Sequence, residues 1–226
     1  LQVLDYAILV ISATDGVQAH TETLWRLLRR RQIPTFVFLT KMDLPNPGRA
    51  ALMAQLRKHL DEGCLDFTEQ DEDWLEAIAM REDALLDQYL DTGKVDPRDI
   101  SGLIRLGKLF PCFFGSALHL DGVTEFLQGL AAYTEASTYG EDFAARVFKI
   151  ARDPQGNRLT YVKLTGGTLH VRDPIAYYPL HGEELVEEKV TQLRLYSGEK
   201  FQAVSQVQAG QVCALLGLSQ TWPGQG

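Results

Sequence analysis

The hydrophobic positions of this chain follow two rhythms, which change over near residues 138–141. In the first part, unbroken apolar runs alternate with stretches in which large apolar residues recur at helical spacing. Residues 6–11 and 35–39 are continuous apolar runs of strand length, the pattern of strands buried on both faces. Between them Leu24, Leu27 and Leu28 lie at helical spacing, Arg29, Arg30 and Arg31 suit the helix's C-terminal end, and Pro34 breaks it. Leu52, Leu56 and Leu60 mark one face of a second helix, and Trp74, Ile78, Leu85 and Tyr89 predict a further helical region. Asp96 followed by Pro97 reads as an N-cap and first helical position, with Ile100, Leu103 and Ile104 continuing the helix. Residues 112–114 form a third short strand, and Asp121 is read as the cap of a helix carrying Val123, Phe126, Leu127 and Leu130. Repeated strand–helix units predict a parallel sheet with helices on its faces.

From Phe143 onward the runs are short, β-rich and separated by turns. Residues 143–151 and 158–165 flank Asp153-Pro154-Gln155-Gly156-Asn157, a strong turn signal. Residues 169–171, 175–178, 186–196 and 212–218 continue the pattern, which predicts a small β-barrel. The expected organisation is an α/β domain over residues 1–140, with a mostly parallel sheet, followed by a β-barrel over residues 141–226.

Composition narrows the class. With 226 residues and 45% hydrophobic content the chain supports packed cores and is no disordered polymer. No apolar run approaches the roughly 20 residues that span a bilayer, and there is no basic-then-apolar leader. The first residue is Leu1, within what already reads as folded protein, so a piece of a longer protein is expected. Cys64, Cys112 and Cys213 are widely spaced and form no CxxC pair, which argues against zinc or a disulfide framework and for a reducing cytosol. The formal net charge of −8 lies wholly in residues 1–140 and can be assigned to the acidic run 61–76, read as a solvated surface. This balance argues against broad nucleic-acid binding and against a DNA partner. It leaves open local docking through Arg26, Arg29, Arg30 and Arg31. The five histidines, His20, His59, His119, His170 and His181, show no metal-ligand spacing and are read as surface or helix-end residues. Trp25 and Trp74 are read as packing residues.

Two short motifs carry candidate chemistry. Thr40-Lys41-Met42-Asp43 follows the second apolar strand, and ligands of open parallel sheets bind beyond the carboxyl ends of the strands. A carboxylate there can accept hydrogen bonds from the N1–H and 2-amino group of guanine, a donor pair that adenine lacks. A neighbouring lysine can lay its stem along the base. Ser116-Ala117 follows the third strand, where small residues let backbone N–H groups approach the guanine O6. Taken singly, each reads as an ordinary strand end or turn. Their order and placement after two buried strands is the informative feature.

In that combination the chain resembles the translational GTPases. Residues 5–18, DYAILVISATDGVQ, look like the segment after the family's Asp-x-x-Gly switch; Thr40-Lys41-Met42-Asp43 is similar to its Asn-Lys-x-Asp motif; and Phe114-Gly115-Ser116-Ala117-Leu118 is similar to its Ser-Ala-x motif. Residues 147–150 and 161–169 resemble the barrel that follows. The likeness is to elongation factor G and, through residues 74–90 and 169–173, to tetracycline-resistance ribosomal-protection proteins, with a peptide-chain release factor as a nearby alternative. It implies GTP/GDP and Mg²⁺ as ligands of the full-length protein, the ribosome as partner and the cytoplasm as location. It implies Asp43 for guanine specificity, Lys41 against the base, Thr40 as a partial brace where the family has Asn, and Ser116 and Ala117 around O6.

The phosphate loop GxxxxGK[ST] is absent from these 226 residues, since Gly93-Lys94 is followed by Val95 and Gln88 occupies the first glycine position. The family places that loop and both switches before Leu1. The chain is therefore expected to be a fragment that lacks catalytic residues and does not hydrolyse GTP by itself. An early strand edge left open could promote self-association. Two other readings stand beside the GTPase: a non-hydrolysing ribosome-binding module built from the same parts, and a structural α/β protein with chance motif matches.

Overall fold

The computed structural model describes residue 1 and residues 3–226. The chain divides into two compact units, one of residues 3–136 with Leu1 and one of residues 137–226. The first unit runs β1 (Ala7–Ser12), α1 (Ala19–Arg30), β2 (Thr35–Thr40), α2 (Arg49–His59), β3 (Cys64–Asp66), α3 (Glu72–Ala79), α4 (Asp83–Thr92), α5 (Pro97–Arg105), β4 (Phe110–Phe114) and α6 (Val123–Tyr133). Its strands pair in the order β1-β2-β4-β3, every pair parallel.

β2 shows why its four central positions are all apolar. Successive side chains point to opposite faces of a strand. Val37 and Leu39 enter a core with Leu9, Ile11, Trp25, Leu52 and Leu56. Phe36 and Phe38 enter a second core with Phe113, Phe126, Trp74 and Ile104. Each fully buried side chain of this size contributes about 1.5–3 kcal/mol of transfer free energy. The cores therefore hold β2 from both sides and fix where its C-terminal end emerges.

The same expectation fails for β1, which lies at the sheet edge. Leu9 and Ile11 are buried, but Ile8 and Val10 are 49% and 60% exposed. Phe126 of α6 packs on Phe38 and Phe113, over β2 and β4, and leaves that face of β1 uncovered.

The acidic run 61–76 is not simply a solvated surface. It contains β3, in which Cys64 and Leu65 are buried, and it supplies buried Phe67 and Trp74. Its carboxylates organise the backbone around these residues. Asp61 accepts a hydrogen bond from the Gly63 N–H (2.8 Å), Asp66 from that of Thr68 (2.8 Å), and Asp71 caps α3 through that of Trp74 (2.9 Å). The helical region after Trp74 is two helices, α3 and α4. At α5, Asp96 accepts from the Arg98 N–H (2.8 Å), as the Asp-Pro pair predicts. Asp121, in contrast, does not cap α6. Gly122 is the N-cap and makes no side-chain cap, while the main-chain carbonyl of Asp121 accepts from the Ser116 N–H (2.9 Å).

The second unit is antiparallel and β-rich. It runs β5 (Ala144–Arg152), β6 (Arg158–Gly166), β7 (Thr168–His170), β8 (Pro174–Tyr177), β9 (Val186–Lys189), β10 (Gln192–Ser197), β11 (Lys200–Val204), β12 (Gln206–Gln208) and β13 (Val212–Leu216). A five-stranded sheet has the order β11-β10-β13-β6-β5, and β12–β7 and β8–β9 form two-stranded ribbons. Residues 186–196, a single run in the sequence, divide between β9 and β10, which pair with different partners. β11 and β12 were not legible as strands because most of their side chains are exposed. Inside the unit, Leu164, Leu169, Val190, Leu193, Val207 and Leu215 form the core.

Candidate functional site

The parallel sheet brings the ends of β2 and β4 side by side. Pairing continues past the strands: the Ala13 N–H donates to the Thr40 carbonyl (2.9 Å), the Gly115 N–H to Leu39 (2.9 Å) and the Met42 N–H to Gly115 (3.1 Å). Residues 40–43 and 114–117 are thereby held next to each other although more than seventy positions separate them in the chain.

Gly115 is required at this junction, since a Cβ there would lie 2.1 Å from the Asp121 carbonyl oxygen. Gly122 is required as well: its φ is +71°, and a Cβ would meet the Phe114 carbonyl at 2.2 Å. The loop after β2 is braced by Asn46, whose side-chain amide donates to the carbonyls of Leu44 (2.8 Å) and Met42 (3.2 Å) and whose Oδ1 accepts from the Gly48 N–H (2.9 Å).

The predicted residues fall into two contacts. Asp43 is hydrogen-bonded by the Ser116 hydroxyl, which holds its carboxyl below the ordinary value of 3.8 against the opposing effect of burial; its own backbone N–H and His119 assist. Ionised at neutral pH like any carboxylate in this range, the group accepts hydrogen bonds only, and it lines a crevice at this end of the sheet. Thr40 meets Ala117, with Oγ1 accepting the Ala117 N–H at 3.2 Å. Lys41 is exposed and takes a left-handed backbone with φ of +64°. That conformation is uncommon for a side-chain-bearing residue and turns the chain sharply between Thr40 and Asp43.

Sequence reasoning missed two groups here. His119 brings Nε2 to 3.6 Å from Asp43 Oδ2, and its N–H donates to Ser116 Oγ at 3.4 Å. Arg49, at the start of α2, lies over the Phe114 ring (5.6 Å to its centre) and bonds Thr68 (3.2 Å) and Glu69 (3.5 Å). Neither belongs to a recognisable motif; only the convergence of three loops at one sheet end places them. A crevice of about 450 Å³ opens there, lined by Asp43, Ser116, Arg49, Glu69, Asp121 and Glu125 among others. Thr40, Lys41 and Ala117 do not line it. Among the described residues, no group of three or more His, Cys, Asp or Glu side chains could hold a metal ion.

A parallel sheet with helices on both faces, and a carboxylate-bearing loop beside a Gly-Ser-Ala loop at its strand ends, defines a GTPase-type nucleotide domain. Residues 1–136 match the family model of the elongation factor Tu GTP binding domain, and residues 142–224 match that of elongation factor G domain 2. The chain belongs to the translational GTPases, of the type that includes elongation factor G and the tetracycline-resistance proteins.

Relatives include the oxytetracycline resistance protein of Streptomyces rimosus, 28% identical over 96% of this chain and 38% of that protein. The tetracycline resistance protein TetW of Butyrivibrio fibrisolvens is 32% identical over 87% of this chain and 33% of its own length. Elongation factor G of Mycoplasma pneumoniae is 26% identical over 100% of this chain and 42% of that protein. The chain thus spans about two fifths or less of the relatives it matches. A solved structure from Thermus thermophilus superposes with a TM-score of 0.79 at 22% identity, covering 99% of this chain and 40% of that one, and shares the fold.

Proposed function

We propose that this chain is the guanine-reading part of a ribosome-associated translational GTPase of the tetracycline-resistance type. Residues 1–140 would be a partial nucleotide domain and residues 141–226 the barrel that follows. The observation that carries the reading is the Asp43 carboxylate just beyond the C-terminal end of β2, lining one crevice with Gly115 and Ser116 of the loop after β4. It accepts the N1–H and 2-amino hydrogen bonds of guanine, and a base lacking those donors leaves it unpaired. Lys41 lays its stem along the base, while Ser116 and Ala117 shape the wall near O6. Thr40 braces Ala117 in place of the family's asparagine, which commits the Ala117 N–H within the protein.

In the full-length protein, water attacks the γ-phosphate of GTP, and hydrolysis drives a change of shape or release from the ribosome in the cytoplasm. Phosphoryl transfer depends on groups placed around the phosphates. Without GxxxxGK[ST] in residues 1–226, this chain alone binds nucleotide weakly and does not turn it over. The position of β1 at the sheet edge, together with its uncovered face bearing Ile8 and Val10, supports self-association of the isolated chain. No helix among the described residues is long and apolar enough to cross a membrane.

Thr40, where the family has asparagine, favours a second reading: a ribosome-binding module that holds guanine nucleotide without hydrolysis. The coding sequence on the 5′ side of Leu1 decides between the two. Finding GxxxxGK[ST] and Asp-x-x-Gly there supports the GTPase; a coding sequence without them leaves the module. The guanine assignment is tested by titrating the longer protein with fluorescent GDP, with and without Asp43→Asn. Equal affinity in both would remove it.

A further inference from the structure

The seam between α1 and α2 carries a feature that guanine recognition does not use. The C-terminal end of α2 is tied along α1 from its first turn to its last: His59 Nδ1 meets Glu22 (2.9 Å), the Trp25 indole N–H donates to the Leu60 carbonyl (2.9 Å), and Arg29 meets Asp61 (3.6 Å). Between the helices is a groove of about 440 Å³ lined by Glu22, Trp25, Arg26, Arg29, His59 and Asp61. Arg29 is fixed in place, since it also donates to the Gly107 carbonyl (2.8 Å) and stacks over Phe110 (4.9 Å).

Arg26 lines the same groove, Arg30 lies one turn further along α1, Arg31 follows at its C-cap and Lys58 precedes His59 in the last turn of α2, all exposed. Among the described residues none of the four forms an ion pair, and the Arg26 guanidinium reaches only the Thr23 hydroxyl at 3.4 Å. Two helix C-termini carry the equivalent of about one negative charge between them, fewer than these four cations would neutralise. The surplus stands out on a chain whose net charge is −8.

We propose that the seam between α1 and α2 is a docking surface for the phosphate backbone of structured RNA. Guanidinium groups, three of the four unpaired cations here, bind phosphate oxygens in a planar, bidentate fashion. A protein partner would call for an apolar centre within the patch. On these helix ends Leu27 is the large apolar side chain left exposed, at 42%. The preference for RNA over DNA rests on the ribosome-associated reading above; the anionic-backbone chemistry does not. This groove and the Asp43 crevice share no lining residue.

The test is binding of a fluorescent RNA hairpin to the 226-residue chain across a salt series. A variant with Arg26→Gln, Arg30→Gln and Lys58→Gln is compared with a control carrying Lys94→Gln and Arg98→Gln, exposed cations on the α4–α5 segment. The triple variant should weaken binding about tenfold or more and flatten the slope of log K against log salt by about 2, at roughly 0.7 to 0.9 per phosphate contact. The control should match the wild type, and thermal unfolding checks that all three chains are folded. Equal loss in both variants, equal or tighter binding of a DNA duplex, or tighter binding of poly-glutamate than of RNA overturns the proposal. A second, milder variant, Arg30→Lys with Arg31→Lys, keeps the charge and should lose only the bidentate share of the affinity. Asp43-dependent GDP binding, measured separately, stays unchanged in the triple variant, so failure here is distinguishable from failure of the guanine reading.

Discussion

Asp43 in the α/β unit and Asp153 in the β unit are both held below the ordinary carboxylate value of 3.8, for different reasons. Asp43 is lowered chiefly by one hydroxyl, that of Ser116, at the open end of a parallel sheet. Asp153 is lowered chiefly by Asn157, through its side chain and backbone, and further by Arg194. It sits in the β5–β6 turn, its side chain 4% exposed, 3.1 Å from an Arg194 that is itself 9% exposed and stacked over Phe201. Asp153 also accepts the N–H groups of Gln155 (3.1 Å) and Asn157 (2.8 Å). Its hydrogen-bonding capacity is consumed within the fold, whereas Asp43 faces a crevice. A lowered carboxylate thus marks a binding group in one unit and a structural tie in the other, and what separates them is whether acceptor sites remain free.

Topology explains the placement. In a parallel sheet every strand ends on the same side, so the loops after β2, β3 and β4 converge and their polar groups collect in one crevice. In the antiparallel sheet successive strand ends alternate, so polar groups are dispersed and are satisfied locally.

The comparison can be broken from either side. The largest expected effect is that of Phe36→Ala. Phe36 is fully buried on β2, and truncation should cost about 3–5 kcal/mol. Chemical unfolding would read this loss, with collapse of the Asp43 loop geometry beside it. Asp153→Asn comes next and should lower the melting temperature by several degrees at neutral pH while leaving nucleotide binding alone. The sign follows from the lowered value. The carboxylate's contribution is present above about 3.8 and is lost as pH falls through the lower folded value, so wild type and variant should converge in acid. Retention of the full difference at low pH would show that shape, not charge, makes the tie.

Asp43→Asn should do the reverse, with melting little changed and GDP affinity of the longer protein falling about ten- to a hundredfold, the value of one or two charged hydrogen bonds. Thr40→Val is the smallest. It leaves the Ala117 N–H without its acceptor, at about 0.5–1.5 kcal/mol, and frees that N–H for a ligand. Isothermal titration would detect a gain in nucleotide affinity; a loss would mean that the brace matters more than the freed donor.

Much of this was legible beforehand where a single element carried its own signal. β2 and β4 stand out because strands buried on both faces must be apolar throughout, and the Asp96-Pro97 cap works through adjacent residues. Errors arose where a residue's role depended on a distant partner. β3 was hidden in an acidic run because Asp61, Asp66 and Asp71 serve its turns and the next cap while only Cys64, Leu65 and Phe67 face inward. β1 reads like an interior strand, yet its Ile8 and Val10 meet no covering helix. Asp121 looks like a cap, but its carbonyl is the part that matters, tied to Ser116.

The sequence by itself determined the class of the protein, the strands β1, β2 and β4 with the helices between them in outline, and the two loops that carry candidate guanine chemistry, because periodicity and short motifs are local properties of the chain. Only the tertiary structure decided that Ser116 lies beside Asp43, that Thr40 occupies the Ala117 N–H, that His119 and Arg49 come to the site, and that Arg26 and Arg29 line a groove with His59 and Asp61. Those contacts bridge segments tens of residues apart, and it is the packing of β2 against β4, and of α1 against α2, that brings them within reach.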